Sequence, residues 1–429
     1  ELAGWQDDAA AELGAADEAV LVGPPRRSHA RWRLDDPAAT AALLDWIAAT
    51  RRGESPAEGA ADPLPTRLIP RPRTPTGVHG RFDLLIVSNR LPDVRRATTP
   101  AEPNRKRNVG GLVSALRPAL AERRSLWLGW SGHVIPDDEP TSVGLDDEVD
   151  PPLAWIDFTE RWYRRYYNGF CNRALWPLFH SFPQHVTFAD KEWDAYRLVN
   201  RAFATAAGEL VSAHTPLWVH DYHLLLMADY LREMGHRGPL GLFLHIPFPA
   251  PDLFQMLPWA GQLLDGMLDF DLLGFHTPRD ARHFRQTAAE LAAARVADDL
   301  VEVRGRRVRV RAFPIGIMPE SFQETEEPAV AEEVGSLLRA IAPGRLVLGV
   351  DRLDYTKGIP ERLEAFGALL EQFPEWRGRV SLVQISVPSR ADVPEYIDQR
   401  RRIENSVGRI NGDYGDGAWV PVRYLYRSY

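Results

Sequence analysis

Cysteine is almost missing from this chain, since Cys171 is the single one among 429 residues. One cysteine excludes an internal disulfide framework and a cysteine-based zinc site. A positive charge excess is also missing: the formal net charge is −8, without the basic footprint of a protein that binds DNA or RNA. No run of about 18 apolar residues occurs, and the acidic, Ala-rich N-terminus is unlike a signal peptide. These absences predict a cytoplasmic protein that binds neither nucleic acid nor membrane.

Residues 1–81 form an N-terminal extension whose composition differs from that of the remaining chain. Helical patterns over residues 8–19 and 37–50 predict two helices there. The Pro-rich stretch at residues 70–75 is typical of a linker. We assign no function to this extension. Because the chain begins at Glu1 and ends at Tyr429 without a tail, we expect an incomplete or processed chain.

From residue 82 to 329, short apolar runs alternate with helical patterns, and we interpret this part as a first domain. Helices are predicted over residues 193–210 and 224–233. Strands separated by helices in this way indicate βαβ units and a largely parallel sheet. The predicted strands cover residues 84–88, 126–130, 217–220, 240–245, 272–275 and 308–313.

Residues 330–429 show the same alternation and predict a second α/β domain. Roughly 100 residues make only about half of a doubly wound domain, so this domain looks truncated. The predicted fold class is α/β, with two Rossmann-like domains after the N-terminal extension. The second domain has predicted strands at residues 345–349, 380–387 and 419–425, and helices from residue 359 and over residues 392–411.

Two cations lie in the connection between the strand at residues 345–349 and the helix that follows it. Arg352 and Lys357 are therefore at a strand's carboxyl end, where open α/β sheets bind their ligands. Two fixed cations beside a helix N-terminus suit a phosphate or a diphosphate. The alternative is a surface Arg and Lys that pair with Asp351 and Asp354.

Residues 352–362 resemble the donor-binding segment of the trehalose-6-phosphate synthases. Their sequence is Arg-Leu-Asp-Tyr-Thr-Lys-Gly-Ile-Pro-Glu-Arg. Further matches are Tyr-Tyr-Asn-Gly-Phe at 166–170, Leu-Trp-Pro-Leu-Phe-His at 175–180 and Leu-His-Ile-Pro-Phe-Pro at 244–249. The resemblance runs from residue 83 to 429. It implies a retaining glycosyltransferase of family 20 with the GT-B fold, in which two Rossmann-like domains face across a cleft. Glucose would pass from UDP-, GDP- or ADP-glucose to glucose 6-phosphate, giving trehalose 6-phosphate.

Two arginines are candidates for binding an anionic acceptor. Arg90 follows the first predicted strand, where its planar guanidinium could hold an anion, although a salt bridge within a loop fits equally well. Arg390 follows the strand at residues 380–387. The resemblance implies that both contact the acceptor phosphate from opposite sides of the cleft. Such a clamp would couple acceptor binding to domain closure.

An aromatic cluster and a carboxylate complete the predicted acceptor site. Tyr167 and Trp176 belong to the cluster, whose rings could cover the face of a pyranose or pack as a hydrophobic subdomain. Asp221 is flanked by His220 and His223, so a metal site is an alternative interpretation. The resemblance implies instead that Tyr167 and Trp176 contact the acceptor and that Asp221 binds its hydroxyl groups.

The predicted donor site contains Gly110, Gly111, His245, Arg352 and Lys357. The two glycines open a helix, where free backbone amides let a ligand approach, although such pairs are often plain turns. His245 ends a strand, a place that also suits a capped core histidine. By the resemblance, Gly111 lies against the donor diphosphate and His245 hydrogen-bonds the transferred sugar.

The resemblance further implies a front-face attack on the donor, in which the leaving diphosphate accepts the acceptor's proton and no protein nucleophile takes part. Arg352 and Lys357 would stabilise the charge on that diphosphate. Together with Asp221 and His245 they are the predicted catalytic residues. Because they take the place of a metal, we expect neither a metal nor another cofactor.

One part of the family pattern has no match in this sequence. The family carries an acidic loop of the type Asp-Gly-Met-Asn-Leu, followed by a Glu, which binds the donor's glucose and ribose. Three hypotheses follow: a synthase whose C-terminal part is absent from this chain, a glucosylglycerol-phosphate synthase that uses glycerol 3-phosphate, or an inactive regulatory homologue that binds sugar phosphates. The donor base and the formation of a homo-oligomer stay open.

Overall fold

The computed structural model describes residues 80–91, 116, 123–139, 141–316, 328–341, 344–390 and 393–427, together with two strands near the N-terminus. The chain divides into two compact units, Glu1–Pro70 and Arg71–Tyr429. In the first unit, β1 (Glu18–Leu21) pairs antiparallel with β2 (Ala30–Arg33). The helix predicted over residues 8–19 is therefore wrong at its end, because residues 18 and 19 pair across a sheet. The rest of that prediction, and the helix at 37–50, lie outside the described residues.

The second unit contains a ten-stranded sheet with the order β10-β11-β12-β9-β8-β7-β3-β4-β6-β5. The ladder from β12 to β6 is parallel, whereas β5, β10 and β11 pair antiparallel at the two edges. Its strands are β3 (Leu84–Arg90), β4 (Ser125–Ile135), β5 (Val143–Asp146), β6 (Leu153–Thr159), β7 (Leu217–His220), β8 (Leu240–Leu244), β9 (Leu272–Phe275), β10 (Arg295–Ala297), β11 (Leu300–Val303) and β12 (Arg306–Ala312).

A second, parallel sheet has the order β13-β14-β15 and consists of Arg345–Arg352, Val380–Val387 and Val422–Tyr426. The strand predicted at residues 380–387 is confirmed. The strand predicted from residue 419 begins later, because Asp416 holds the backbone amide of Trp419 in a turn at 2.7 Å. The predicted domain boundary at residues 329 and 330 lies in the first turn of a helix, and it stays a prediction.

Helices cover both sheets and connect their parallel strands. In chain order they are α1 (Glu160–Trp162), α2 (Trp176–Phe179), α3 (Asp190–Leu210), α4 (Met227–Glu233), α5 (Pro251–Phe254), α6 (Ala260–Met267), α7 (Pro278–Leu291), α8 (Pro328–Ile341), α9 (Ile359–Gln372) and α10 (Pro394–Tyr414). A π-helical stretch, Tyr163–Leu175, joins α1 to α2. Short 3₁₀ turns lie at Pro183–His185, Tyr222–Leu224, Tyr355–Lys357 and Pro374–Trp376.

Burial follows from the apolar strands, which read as continuous runs because helices cover both of their faces. Leu85, Val87 and Val219 of the large sheet are fully buried. At the edge of the small sheet, by contrast, β13 leaves Leu348 and Val350 more than half exposed. Within the described ranges, no helix has the length and apolar character needed to cross a membrane.

Candidate active site

The carboxyl ends of neighbouring parallel strands bring two predicted site residues together. Asp221 follows β7 and His245 follows β8, and these strands are paired. The backbone amide of His245 donates to Oδ1 of Asp221 at 3.1 Å. The ring of His220, the last residue of β7, lies with Nδ1 3.0 Å from Nε2 of His245. Ligands of open α/β sheets bind at this end of the strands, so Asp221 and His245 lie where a ligand site is expected.

Asp221 has an unusual backbone conformation. Its φ is +73°, in the left-handed region that residues other than glycine seldom adopt. Its amide donates to the carbonyl of Phe243 at 2.8 Å, which holds this conformation. The bend turns the chain away from the strand, so the helix predicted from residue 224 begins instead at residue 227. Strain of this kind is often found at functional sites.

The electrostatics of Asp221 link it to the second sheet. Burial raises the pKa of its carboxyl from 3.8 to about 6. Backbone amides that donate to the carboxylate oppose this rise, as do the positive charges of Arg352 and Arg390. Both arginines come from strand ends of the second sheet. Asp221 is therefore a carboxylate of the first sheet that lies in the field of two cations of the second.

Three histidines around Asp221 are held in the neutral form. Burial lowers the pKa of His245 to about 4, with a further contribution from His276. Burial, and next the charge of His245, places the pKa of His220 well below its ordinary value. The pKa of His223 is likewise well lowered, by burial and then by Arg390 and Arg352. At neutral pH these rings act as hydrogen-bonding groups without charge.

Arg352 is the last residue of β13 and not part of the connection, whereas Lys357 lies in the loop that follows, as the sequence predicts. The side chain of Asp354 accepts from the amide of Thr356 at 3.0 Å and so caps the 3₁₀ turn that carries Lys357. Gly358, with φ +61°, then leads into α9. A glycine suits this left-handed link between turn and helix.

The alternative interpretation of these cations, as partners of Asp351 and Asp354, is wrong. Asp351 pairs with Arg362 at 2.6 Å, and Asp354 pairs with Arg390 at 3.0 Å. Within the described part of the chain, neither Arg352 nor Lys357 has an ion pair. Their charge is thus available to an anionic ligand.

Arg390 connects the two sheets. Its side chain is 4% exposed, and Asp354 is fully buried beneath it. Nη2 of Arg390 donates at 3.2 Å to the hydroxyl of Tyr222, which lies in the turn after β7 of the large sheet. Nη1 donates to the hydroxyl of Tyr396, which itself donates to Asp354 at 3.1 Å. Burial alone would lower the pKa of Arg390, but the surrounding tyrosines and Asp354 raise it, so this guanidinium stays charged.

Trp176 forms the aromatic side of this junction. The guanidinium carbon of Arg390 lies 3.9 Å from the centre of its ring, and that of Arg352 lies 5.8 Å from it. Both Nε1 of Trp176 and Nε of Arg390 are buried without a hydrogen-bond partner in the described structure. Two unpartnered donors beside each other are a place for an anionic or polar ligand.

The aromatic cluster around Tyr167 combines packing with polar contacts. Tyr166 and Phe170 are fully buried in the core, as the alternative of a packed subdomain expects. Tyr167, in contrast, stacks on the ring of His223 with centroids 6.0 Å apart and also contacts Trp130 at 5.7 Å. The sequence alone could not separate these two uses of neighbouring rings.

Arg90 lies at the end of β3, within the strand and not in a following loop. Its guanidinium carbon is 5.2 Å from the ring centre of Trp130, which also contacts Tyr167. A side chain on Gly132, whose φ is +94°, would come within 2.5 Å of Nη2 of Arg90. Gly132 thus leaves room for this arginine. Gly110 and Gly111 of the predicted donor site lie outside the described residues.

Some residues of the junction were missed by sequence reasoning. Asp354, Tyr222 and Tyr396 hold Arg390. Asp354 and Tyr222 are far from Arg390 in sequence, and no local pattern marks Tyr396, six residues away. Tyr355, in the loop after β13, packs its ring against Phe182, which follows α2, with centroids 5.2 Å apart. This is a second aromatic contact between the residues of the small sheet and those of the large sheet. In the ranges that the structure describes, no group of three metal-binding side chains occurs, so a metal site around Asp221 gains no support.

The chain matches the sequence family described as Glycosyltransferase family 20 over residues 83–429. It is 42% identical, over 352 residues, to the alpha,alpha-trehalose-phosphate synthase (UDP-forming) of Botryotinia fuckeliana, covering 80% of this chain and 67% of that protein. A trehalose-phosphate synthase structure from Burkholderia xenovorans, in complex with glucose-6-phosphate, matches with a TM-score of 0.72 and 34% identity, covering 81% of this chain and 75% of that one.

A further solved structure, named trehalose-6-phosphate from E. coli and bound with UDP-2-fluoro glucose, matches with a TM-score of 0.70 and 35% identity. The match covers 81% of this chain and 74% of that chain. Thus the chain spans about two thirds to three quarters of the length of these proteins.

Proposed function

Because the chain belongs to glycosyltransferase family 20 and has the GT-B fold, we propose that it transfers glucose from UDP-glucose to glucose 6-phosphate with retention, giving trehalose 6-phosphate. The named relative is UDP-forming. One structural neighbour binds glucose-6-phosphate and another binds UDP-2-fluoro glucose. These names support UDP as the leaving nucleotide and glucose 6-phosphate as the acceptor. GDP- and ADP-glucose have no such support.

A single observation carries the proposal: Arg390 of the second sheet donates to the hydroxyl of Tyr222 at 3.2 Å, and Tyr222 directly follows Asp221 of the first sheet. Transfer between two substrates requires both to be held at one point, with the reacting atoms in contact. A sugar-binding carboxylate beside two phosphate-binding cations provides that point. The contacts of Arg390 and Arg352 with Trp176 support the same arrangement.

In the proposed reaction, Arg352 and Lys357 bind the donor diphosphate. The acceptor's hydroxyl oxygen forms a bond to C1 of glucose while the bond from C1 to the diphosphate oxygen breaks. UDP leaves with that electron pair and takes the hydroxyl proton. Negative charge then grows on the diphosphate, where it is stabilised by two cations that form no ion pair with the described residues.

The contacts of Asp354 support a front-face route over a double displacement. A double displacement needs a free carboxylate as nucleophile. Asp354 uses Oδ1 to cap a turn and Oδ2 to bind Arg390, and it is fully buried. Asp221 accepts from the amide of His245 through Oδ1. We assign Asp221 to the acceptor's hydroxyl groups and His245, as a neutral ring, to the transferred glucose.

On the acceptor side, we assign the sugar phosphate to Arg90 and Arg390, with Tyr167 and Trp176 against the sugar. The unpartnered Nε of Arg390 and Nε1 of Trp176 are the donors that support this assignment. The guanidinium of Arg390 covers the face of the Trp176 ring. The acceptor therefore has to approach Nε of Arg390 and Nε1 of Trp176 from the edge of this stacked pair. Gly110 and Gly111 remain predicted contacts of the donor diphosphate.

The test is a coupled assay of nucleotide release from UDP-, GDP- and ADP-glucose, with glucose 6-phosphate or glycerol 3-phosphate as acceptor and no added metal. We expect turnover with UDP-glucose and glucose 6-phosphate. Turnover with glycerol 3-phosphate alone would replace the proposed acceptor. Absence of turnover with every pair, while calorimetry still detects glucose 6-phosphate binding, would contradict catalysis by this chain and favour a regulatory role.

A further inference from the structure

The ring of His220, the last residue of β7, is held in one position by its neighbours. It is 1% exposed, and the indole of Trp218 lies on it with centroids 4.7 Å apart. Its Nδ1 is 3.0 Å from Nε2 of His245. Its other nitrogen, Nε2, is buried and has no hydrogen-bond partner in the part of the chain that the structure describes. Among the described residues, the one polar contact of this ring is thus with His245.

The backbone of His245 is fixed independently of its ring. Its amide donates to Asp221 at 3.1 Å, and the rings of Phe243 and His276 lie 4.6 and 5.5 Å from its own. None of these contacts engages a ring nitrogen of His245. Among the described residues, the hydrogen bond to His220 is therefore the contact that determines how the imidazole is turned and which nitrogen carries its proton.

The direction of this hydrogen bond follows from the buried nitrogen of His220. Two neutral imidazoles share a hydrogen bond when one nitrogen carries a proton and the other does not. A proton on Nε2 of His220 would leave a buried N–H donor unpaired, and unpaired buried donors are rarer than unpaired acceptors. The proton of His220 accordingly lies on Nδ1, which donates to Nε2 of His245. His245 must then carry its own proton on Nδ1.

We propose that His220 is a positioning residue for His245, which it holds in the Nδ1-protonated form so that the outer nitrogen is a permanent donor to an oxygen of the transferred glucose. The sugar contact in this inference rests on the proposed function, whereas the tautomer of His245 does not. Unlike Nε2 of His220, Nδ1 of His245 is not a buried unpartnered atom. Groups that fix the tautomer of a functional histidine act in the same way in metal sites.

Two substitutions separate positioning from packing. His220→Phe keeps a ring against Trp218 but removes the donor, and His220→Asn keeps an N–H donor near the place of Nδ1. The matched control is His236→Phe, because His236 is 6% exposed and its Nε2 is also buried without a partner, yet it precedes β8 at the opposite end from His245. Unfolding midpoints of all three variants report the general cost of replacing a buried histidine.

The kinetic experiment measures kcat and KM for both substrates. We expect His220→Phe to lower kcat by about tenfold or more, with the KM of glucose 6-phosphate changed less than about twofold. His220→Asn should recover most of this loss, and His236→Phe should leave kcat unchanged. An unaltered kcat in His220→Phe would overturn the positioning role.

The tautomer is measured directly by ¹⁵N NMR of labelled histidines in the native protein and the variants. We expect His245 to carry its proton on Nδ1 in the native protein and to become a mixture of tautomers in His220→Phe. A proton on Nε2 of native His245 would refute the assigned direction. If no substrate pair gives turnover, the proposed function fails, and the NMR result alone then decides whether His220 orients His245. That spectrum of the native protein also remains decisive if His220→Phe does not fold.

Discussion

The guanidinium carbon of Arg390 lies 3.9 Å from the ring centre of Trp176, and this contact joins the small sheet to the large one. A cation over the face of an indole is attracted by the quadrupole of the ring, whose face is negative although the ring is neutral. Because Asp354 binds Arg390, the same guanidinium is connected to the loop that follows Arg352 and carries Lys357. The side chains that we assign to the donor and to the acceptor are thereby connected through Arg390.

Replacing Arg352 or Lys357 with Ala should lower kcat by about 100-fold or more, because each removes a charge that stabilises the leaving diphosphate. Steady-state kinetics with varied donor and acceptor check this. The control is Arg345→Ala. Arg345 lies at the opposite end of β13 and contacts Trp376, so this substitution should leave kcat unchanged. A full rate in either site variant would contradict the proposed role.

Asp354→Ala should destabilise the protein strongly. The substitution leaves Arg390 buried without its counter-ion, and breaking a buried pair in this way costs about 3–5 kcal/mol. Urea unfolding measures the free energy. Asp398→Ala is the matched control, since its pair with Arg401 has both side chains 69% exposed and contributes at most about 1 kcal/mol. Equal losses in the two variants would show that the buried pair has no special weight.

The raised pKa of Asp221 determines the direction in which the free energy of unfolding changes with pH. Its folded-state pKa, about 6, lies above the ordinary value of 3.8, so the folded protein holds the proton more tightly than the unfolded chain. Stability should therefore fall as pH rises through this window. Asp221→Asn should lose that fall, which unfolding free energies at several pH values will measure. The same pH dependence in both proteins would refute the raised pKa.

Trp176→Ala should weaken the binding of glucose 6-phosphate and loosen Arg390. A cation–π contact contributes about 0.5–2 kcal/mol, so we expect an affinity loss of about tenfold, measured by calorimetry. Trp376→Ala removes a similar contact with Arg345 away from the junction and should not change the affinity. If both variants bind glucose 6-phosphate as the native protein does, Trp176 has no part in the acceptor site.

Much of the site was predictable because it lies next to strands that the sequence marks clearly. Asp221, His245 and Arg352 each stand at or just beyond the end of an apolar run, and the quoted family motifs contain His245 and Arg352. The N-terminal helix at residues 8–19 failed at its end for the opposite reason. Its local pattern favours a helix, but pairing with residues 30–33 makes residues 18 and 19 part of a strand.

Local sequence also could not determine where each charge is neutralised. Asp351 and Asp354 are the nearest acids to Arg352 and Lys357 along the chain, and pairing with them was a reasonable alternative. In the structure these acids bind Arg362 and Arg390 instead. The two site cations owe their available charge to those distant partners.

The sequence by itself determined the family, the α/β class and the strand ends that carry the site, because each of these depends on residues close together in the chain. Tertiary structure alone decided the junction of Arg390, Asp354, Tyr222 and Trp176. Arg390 is 36 positions from Asp354 and 168 from Tyr222. Such contacts depend on strand order and on how two sheets face each other, and neither is recorded in local periodicity.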